Sequence, residues 1–289
     1  PLHIISANLH SFKNTLFAYA TLNPQQRDSY DDNFYGLFED ASEGLEGVDD
    51  FAADHGYLEI EDTSGAQINC QVIDTAALKG VPLHPDLSFI PADMGDAPPV
   101  LLVINYAFGT QAFEVMDELL DQLGQQDPQR RCRISSISIM GKAGILSGVK
   151  GDIMLATAHV IEGSAHNYIF KNDRCEADFD GDIPVCTGPM VTVLGTSLQN
   201  RAVLKRFQTT SWRAVGLEME GGHYHRAISA AMLRGHIPES VKVRYAYYAS
   251  DNPLISGQTL SSGSMGLEGI KPTYMTTKVI LKKIFDQAD

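Results

Sequence analysis

The 289-residue chain has few cysteines and few positive charges for its size, and each shortage argues against a class of protein. Cys70, Cys132, Cys175 and Cys186 are its four cysteines, and no two of them have C-x-x-C spacing. That is too sparse for a disulfide scaffold and points to a reduced, cytoplasmic protein. Lysine and arginine number 22 against 36 acids, a net charge of −14. Such a surface repels phosphate backbones and anionic lipid, so neither a nucleic-acid polymer nor a membrane surface is an expected partner. A small anion in a locally basic pocket stays compatible with it. No apolar run is long enough to span a bilayer. Residues 1–6 (PLHIIS) show no basic region followed by an apolar stretch, so no signal peptide is expected. No G-x-S-x-G elbow and no Cys/His signature supports acyl transfer. His223 and His225 form an H-x-H pair, but on a helix they diverge and no third ligand accompanies them. Neither a metal nor an organic cofactor is therefore expected.

At 44% hydrophobic the chain can bury a sizeable core as one large α/β domain or two small ones. Residues 25–56 hold ten acids and a single base, Arg27, and read as a solvated loop or short helices. Residues 57–61 and 67–73 alternate across a D-T-S-G-A turn and predict a hairpin. Residues 80–98 are rich in proline and predict an irregular connection.

Beyond residue 99 the pattern becomes regular. Short apolar runs at 100–104, 134–140, 152–158, 190–194 and 241–249 read as strands, and 112–123, 219–235 and 276–287 as helices. This alternation predicts an α/β fold with a mixed, mostly parallel central sheet flanked by helices. Residues 1–98 form an irregular N-terminal portion of the same domain, and residues 99–289 its core. In such sheets ligands sit beyond the carboxyl ends of the strands, at loops 105–109, 141–144, 195–201, 218–222 and 250–254.

Two of these loops carry acids. In residues 215–223 (VGLEMEGGH), Glu218 and Glu220 flank Met219 where a strand gives way to a helix. Glu220 precedes Gly221 and Gly222, where backbone can approach a ligand, and its carboxylate could accept from two adjacent hydroxyls as a ribose clamp. The same position also suits a first-turn acid favoured by the helix dipole. Asp251 closes the run 242–250, which has two bases, Lys242 and Arg244, and no other acid. Buried at a strand end beside the Ser250 hydroxyl, it is expected to hold its proton to higher pH and to donate it to a departing heterocycle. A turn-forming Asp before Asn252 and Pro253 is the alternative. Gly141, Lys142, Ala143 and Gly144 form a glycine-rich strand exit without the spacing of a phosphate-binding loop or a dinucleotide fingerprint. Lys142 there would meet a phosphate or a carboxylate, or point to solvent.

Together these segments resemble the nucleoside phosphorylase and nucleosidase superfamily, which includes purine nucleoside phosphorylase, methylthioadenosine/S-adenosylhomocysteine nucleosidase and AMP nucleosidase. Residues 139–153 (IMGKAGILSGVKGDI) look like its "G-S-A-G-G-L … G-D" segment, 215–220 (VGLEME) like "V-E-M-E", and 249–251 (ASD) like its "S-D" strand end. The resemblance spans about residues 99–289. It implies that Glu220, with Glu218 beside it, holds the ribose 2′ and 3′ hydroxyls, and that Met219 packs under the sugar. Asp251, helped by Ser250, would stabilise the leaving base at N7, and Leu198 falls near the usual base-stacking position. Ile139 stands where phosphorylases often carry Arg, and Ala107 where a glycine is usual. No N-terminal acid that would activate water stands out. Asn200–Arg201 and residues 250–254 (SDNPL) look like the "N-R" and "S-D-K-P-L" of AMP nucleosidase, which makes Lys142, Gly141 and Arg201 candidate phosphate contacts. The implied activity is hydrolysis of the N-ribosidic bond of a purine nucleoside or nucleotide, in a homo-oligomer (dimer or hexamer). A phosphate-dependent phosphorylase of the same fold and a noncatalytic nucleoside-binding protein are the alternatives.

Overall fold

The computed structural model describes residues 1–39, 45, 47–126, 132–179, 181–195, 200–210, 212–255 and 265–286. The chain divides into two compact units, residues 1–105 with 266–289, and residues 106–265.

The first unit opens with β1 (Leu2–Ser6) and α1 (Leu9–Thr21). Asn8 caps α1, its side chain accepting from Ser11 N at 2.9 Å. The acidic segment then forms short helices α2 (Pro24–Tyr30), α3 (Gly36–Glu39) and α4 (Val48–Ala53). Asn23 and Gln26 close a capping box around α2, with Pro24 in its first turn. Phe34, Leu37, Phe38, Val48 and Ala52 are buried, so apolar anchors hold this stretch, while Asp28, Asp32, Glu39, Asp49, Asp50 and Asp54 are exposed. The expected hairpin is present: β2 (Tyr57–Ile60) pairs antiparallel with β3 (Cys70–Asp74). β3 runs antiparallel to β4 (Val100–Ile104), and β4 parallel to β1. The N-terminal portion is therefore an ordered layer of helices on a four-strand ladder, β1-β4-β3-β2, rather than an irregular one. Its apolar residues are too scattered in sequence to show a period, because α3 and α4 bury two apolar side chains each and α2 none.

The second unit starts with α5 (Gln111–Gly124), whose Ala112, Met116 and Leu120 form a buried i, i+4, i+8 stripe. Next come β5 (Ile134–Ile145), β6 (Ile153–Ile161), β7 (Asn167–Ile169) and β8 (Val185–Thr192). α6 (Arg201–Thr209), β9 (Gly216–Glu218), α7 (Gly221–Leu233) and β10 (Lys242–Asp251) complete it. Strand order is β10-β6-β8-β9-β5, and a further β5–β10 pairing closes the ring. The fold is mixed α/β, as expected, and the mixed sheet of this unit closes into a barrel, which the sequence did not indicate. Three ladders are parallel (β5–β10, β6–β8, β8–β9), and two are antiparallel (β6–β10, β5–β9). The 12-residue β5 makes closure possible, because it pairs with β10 over most of its length and with β9 at its end. The chain then returns to the first unit with α8 (Ile270–Phe285), where Asn14 donates to Tyr274 Oη at 3.2 Å and Phe38 stacks on the same ring.

Candidate active site

Residues 141–144, expected as a loop, are the end of β5, and this makes them the divider of the site. Gly144 lies opposite Leu217 of β9 on one edge and opposite Asp251 of β10 on the other. With strands about 4.8 Å apart, the two carboxylate-bearing strand ends stand roughly 10 Å apart across β5. One apolar cluster underlies both. Met219 and Leu254 pack on Leu146, Val191, Val193, Leu204, Ala214 and Leu217.

The two glutamates have separate tasks. Glu218 is 3% exposed. Its Oε2 accepts from Glu220 N at 2.7 Å and from Gly221 N, and its Oε1 from the Thr192 hydroxyl. Thr192 Oγ1 in turn accepts from Gly222 N at 3.0 Å. Glu218 and Thr192 thus satisfy the orphan donors at the start of α7. Of the two acids expected at the ribose, Glu218 has its oxygens engaged by two backbone N–H groups and the Thr192 hydroxyl. Glu220 is half-buried, and among the described residues its carboxylate accepts long bonds from Gly109 N and Met219 N, each at 3.3 Å. Each oxygen can accept further hydrogen bonds. Burial raises its pKa.

Burial, and then the charge of Glu220, push the Glu218 carboxyl up to about 7 from 4.5, against the pull of its three donors. The folded protein therefore holds this proton more tightly than the unfolded chain. The resulting stabilisation is complete below about pH 4.5 and is lost as pH rises through about 7. The thermal midpoint of wild type should fall relative to that of Glu218→Gln as pH rises from 4.5 to 8. A constant gap across that range would refute the assignment.

Asp251 ends β10 at a β-bulge, where the register on β5 shifts between Ala249 and Asp251. Bulges re-aim side chains beside functional sites. The Ser250 hydroxyl donates to Asp251 Oδ1 at 2.5 Å, and Asp251 is 1% exposed. Asn252 Nδ2 donates to Gly148 O at 2.7 Å and its Oδ1 accepts from Leu254 N, which pins the turn that follows.

The other expected residues are placed less centrally. Met219 packs on the apolar cluster. Lys142 is exposed on β5, on the opposite pleat from Gly141, and Arg201 is exposed at the first position of α6. Neither forms a hydrogen bond or ion pair with Glu220 or Asp251. Leu198 lies outside the described residues. His223 and His225 are buried on α7. Burial lowers the pKa of His225 to about 4, and its Nδ1 meets Tyr245 Oη at 3.1 Å. Among the described residues no group of three or more His, Cys, Asp or Glu is placed to hold a metal ion. No helix among them is long and apolar enough to cross a membrane.

Sequence reasoning missed Thr192 and Tyr247, whereas Gly109 closes the expected 105–109 loop. Thr192 and Tyr247 lie inside strands and carry no local mark of a role. Tyr247 hydrogen-bonds His159 Nε2 at 3.1 Å beneath the start of α7.

A model of a family of unknown function, DUF6909, matches residues 33–286. No curated protein sequence matches the chain. Solved structures share its fold. The 5′-methylthioadenosine/S-adenosyl homocysteine nucleosidase of Campylobacter jejuni is 13% identical with a TM-score of 0.57, over 99% of this chain and 98% of that one. The Streptococcus pneumoniae nucleosidase with the transition-state inhibitor MT-ImmA is 12% identical with a TM-score of 0.53, over 99% and 98%. A futalosine hydrolase mutant of Helicobacter pylori is 11% identical with a TM-score of 0.51, over 99% and 98%. The chain therefore shares the fold of these nucleosidases and of the futalosine hydrolase, the fold expected from its motifs.

Proposed function

The chain belongs to the DUF6909 family, whose function is unknown, and from its site we propose that it hydrolyses the N-ribosidic bond of a purine nucleoside or nucleotide. The observation that carries this reading is the pairing of an accessible carboxylate with a serine-held one across β5. Glu220 has lone pairs left for the two vicinal ribose hydroxyls. Asp251, enclosed and aimed by Ser250, faces the other end of a ligand that reaches across the strand.

In the reaction the C1′–N9 bond breaks and its electron pair goes to the base, which takes a proton at N7 from the Asp251 carboxyl. Positive charge develops on the ribosyl carbon, water forms the new C1′–O bond and sheds a proton to solvent, and Asp251 regains its proton from solvent before the next turnover. Stabilising the leaving group lowers the barrier because the base departs early. Exposed Lys142 and Arg201 are the candidate partners of a 5′-phosphate.

The test is incubation of the purified protein with AMP, adenosine, inosine, methylthioadenosine and S-adenosylhomocysteine, with and without phosphate, following free base by chromatography. Release without phosphate is expected. Release only with phosphate would make the protein a phosphorylase, and tight riboside binding without release would make it a binding protein.

A further inference from the structure

Beneath the carboxylates lies a buried pair that the reaction above does not use. Tyr247 stands four residues before Asp251 on β10 and is held by ladders on both sides, opposite Gly141 of β5 and Met154 of β6. Its phenol reaches His159 Nε2 at 3.1 Å. His159 is fully buried, stacked on Phe170 at 5.2 Å and edge-on to Tyr245 at 4.5 Å, so its ring is locked. Burial, with the neighbouring His225, holds His159 neutral.

Both polar atoms press on the first residue of α7. A methyl group on Gly221 would overlap Tyr247 Oη and come within 2.5 Å of His159 Nε2. Gly221 is therefore glycine because the phenol and the imidazole occupy its side-chain space. Gly221 N is also a donor to Glu218, and Glu220 immediately precedes it. A rigid path thus runs from the strand bearing Asp251, through the Tyr247 ring, to the helix start that carries Glu220.

We propose that Tyr247, locked by His159, is a positioning residue that sets the separation of Glu220 from Asp251 and so the fit of the riboside between them. This rests on the hydrolase reading. Tyr247 works through Gly221, not on the substrate, because its hydroxyl is turned onto His159. Control of geometry at the reacting groups by a supporting contact is a general route to large rate effects.

The test compares wild type with Tyr247→Phe, Gly221→Ala, His159→Gln and the Tyr247→Phe/Gly221→Ala double variant. The riboside that wild type cleaves best and its free base serve as probes, with steady-state kinetics and calorimetry as readouts. Loss of one hydrogen bond predicts that Tyr247→Phe raises KM for the riboside about 3- to 10-fold. Affinity for the free base should stay near wild type, while the thermal midpoint falls by a few degrees because the buried imidazole loses its partner. Gly221→Ala should act in the same direction and more strongly. His159→Gln keeps a partner for the phenol and should retain near-wild-type KM. In the double variant the alanine methyl no longer meets a hydroxyl, so the two losses should fall short of multiplying. Unchanged kinetics in Tyr247→Phe, or equal losses for riboside and base, would overturn the positioning role while leaving the hydrolase reading intact. A wild type that releases no base from any riboside would overturn both.

Discussion

Asp251→Asn is expected to slow base release by on the order of 10²- to 10⁴-fold, the usual contribution of a positioned acid, with nucleoside affinity changed no more than a few-fold. Asparagine has the same shape. Its carbonyl oxygen can accept the Ser250 hydroxyl that now meets Asp251 Oδ1, so the bulge at the end of β10 should persist. What it lacks is a proton that can transfer to the leaving base. The readout is single-turnover base release beside calorimetric binding of the same nucleoside. If Asp251 only shaped the turn before Asn252 and Pro253, asparagine would serve equally well, and full activity would sink the assignment. A thermal midpoint near that of wild type would show that the loss is chemical and not a failure to fold.

Glu220→Gln should weaken riboside binding about 10- to 100-fold and leave the free base almost untouched. The charged carboxylate offers acceptors on both oxygens, whereas the amide keeps one acceptor and turns the other position into a donor. Hydrogen bonds to a charged group contribute about 1.5–3 kcal/mol each, and one such bond to a vicinal diol is lost. The amide oxygen can still accept from Gly109 N, so the loop preceding α5 has no cause to move. Calorimetry with a riboside and with its base separates the two effects. An equal loss for both would mean that Glu220 supports the pocket generally and is not the ribose contact.

The hydrolase and positioning readings divide the acids of the E-M-E segment in a way that spacing alone did not. Two residues apart on any helix, Glu218 and Glu220 would point in different directions, and sequence analysis left both on the ribose. The fold assigns one to each side of the helix start. Glu218 is drawn under it by three donors, and Glu220 is left at the surface of the site with long, weak bonds. The same logic explains why Thr192 went unnoticed. A threonine at the end of an apolar run looks like any strand residue until the helix that needs its hydroxyl is packed against it.

Residues 141–144 show the converse. Their glycines were noticed, but glycine after an apolar run reads as a strand exit, and here the strand continues. Local periodicity reports which face of a segment is apolar. It does not report how long a strand persists once it has partners on both edges, as β5 has in β10 and β9.

By itself the sequence determined the alternation of strands and helices beyond residue 99, the hairpin before it and the absence of a redox or acyl-transfer signature. It also marked the two acids, Glu220 and Asp251, on which the proposed reaction rests. These are matters of periodicity, composition and residue chemistry, and each is written in consecutive residues. Only the tertiary structure decided the closed barrel, the ordered helices of the acidic segment, the capping role of Glu218 and the place of Tyr247 with His159 under Gly221. Each of those depends on which edges pair and which side chains meet across distances of tens of residues, and no local pattern carries that information.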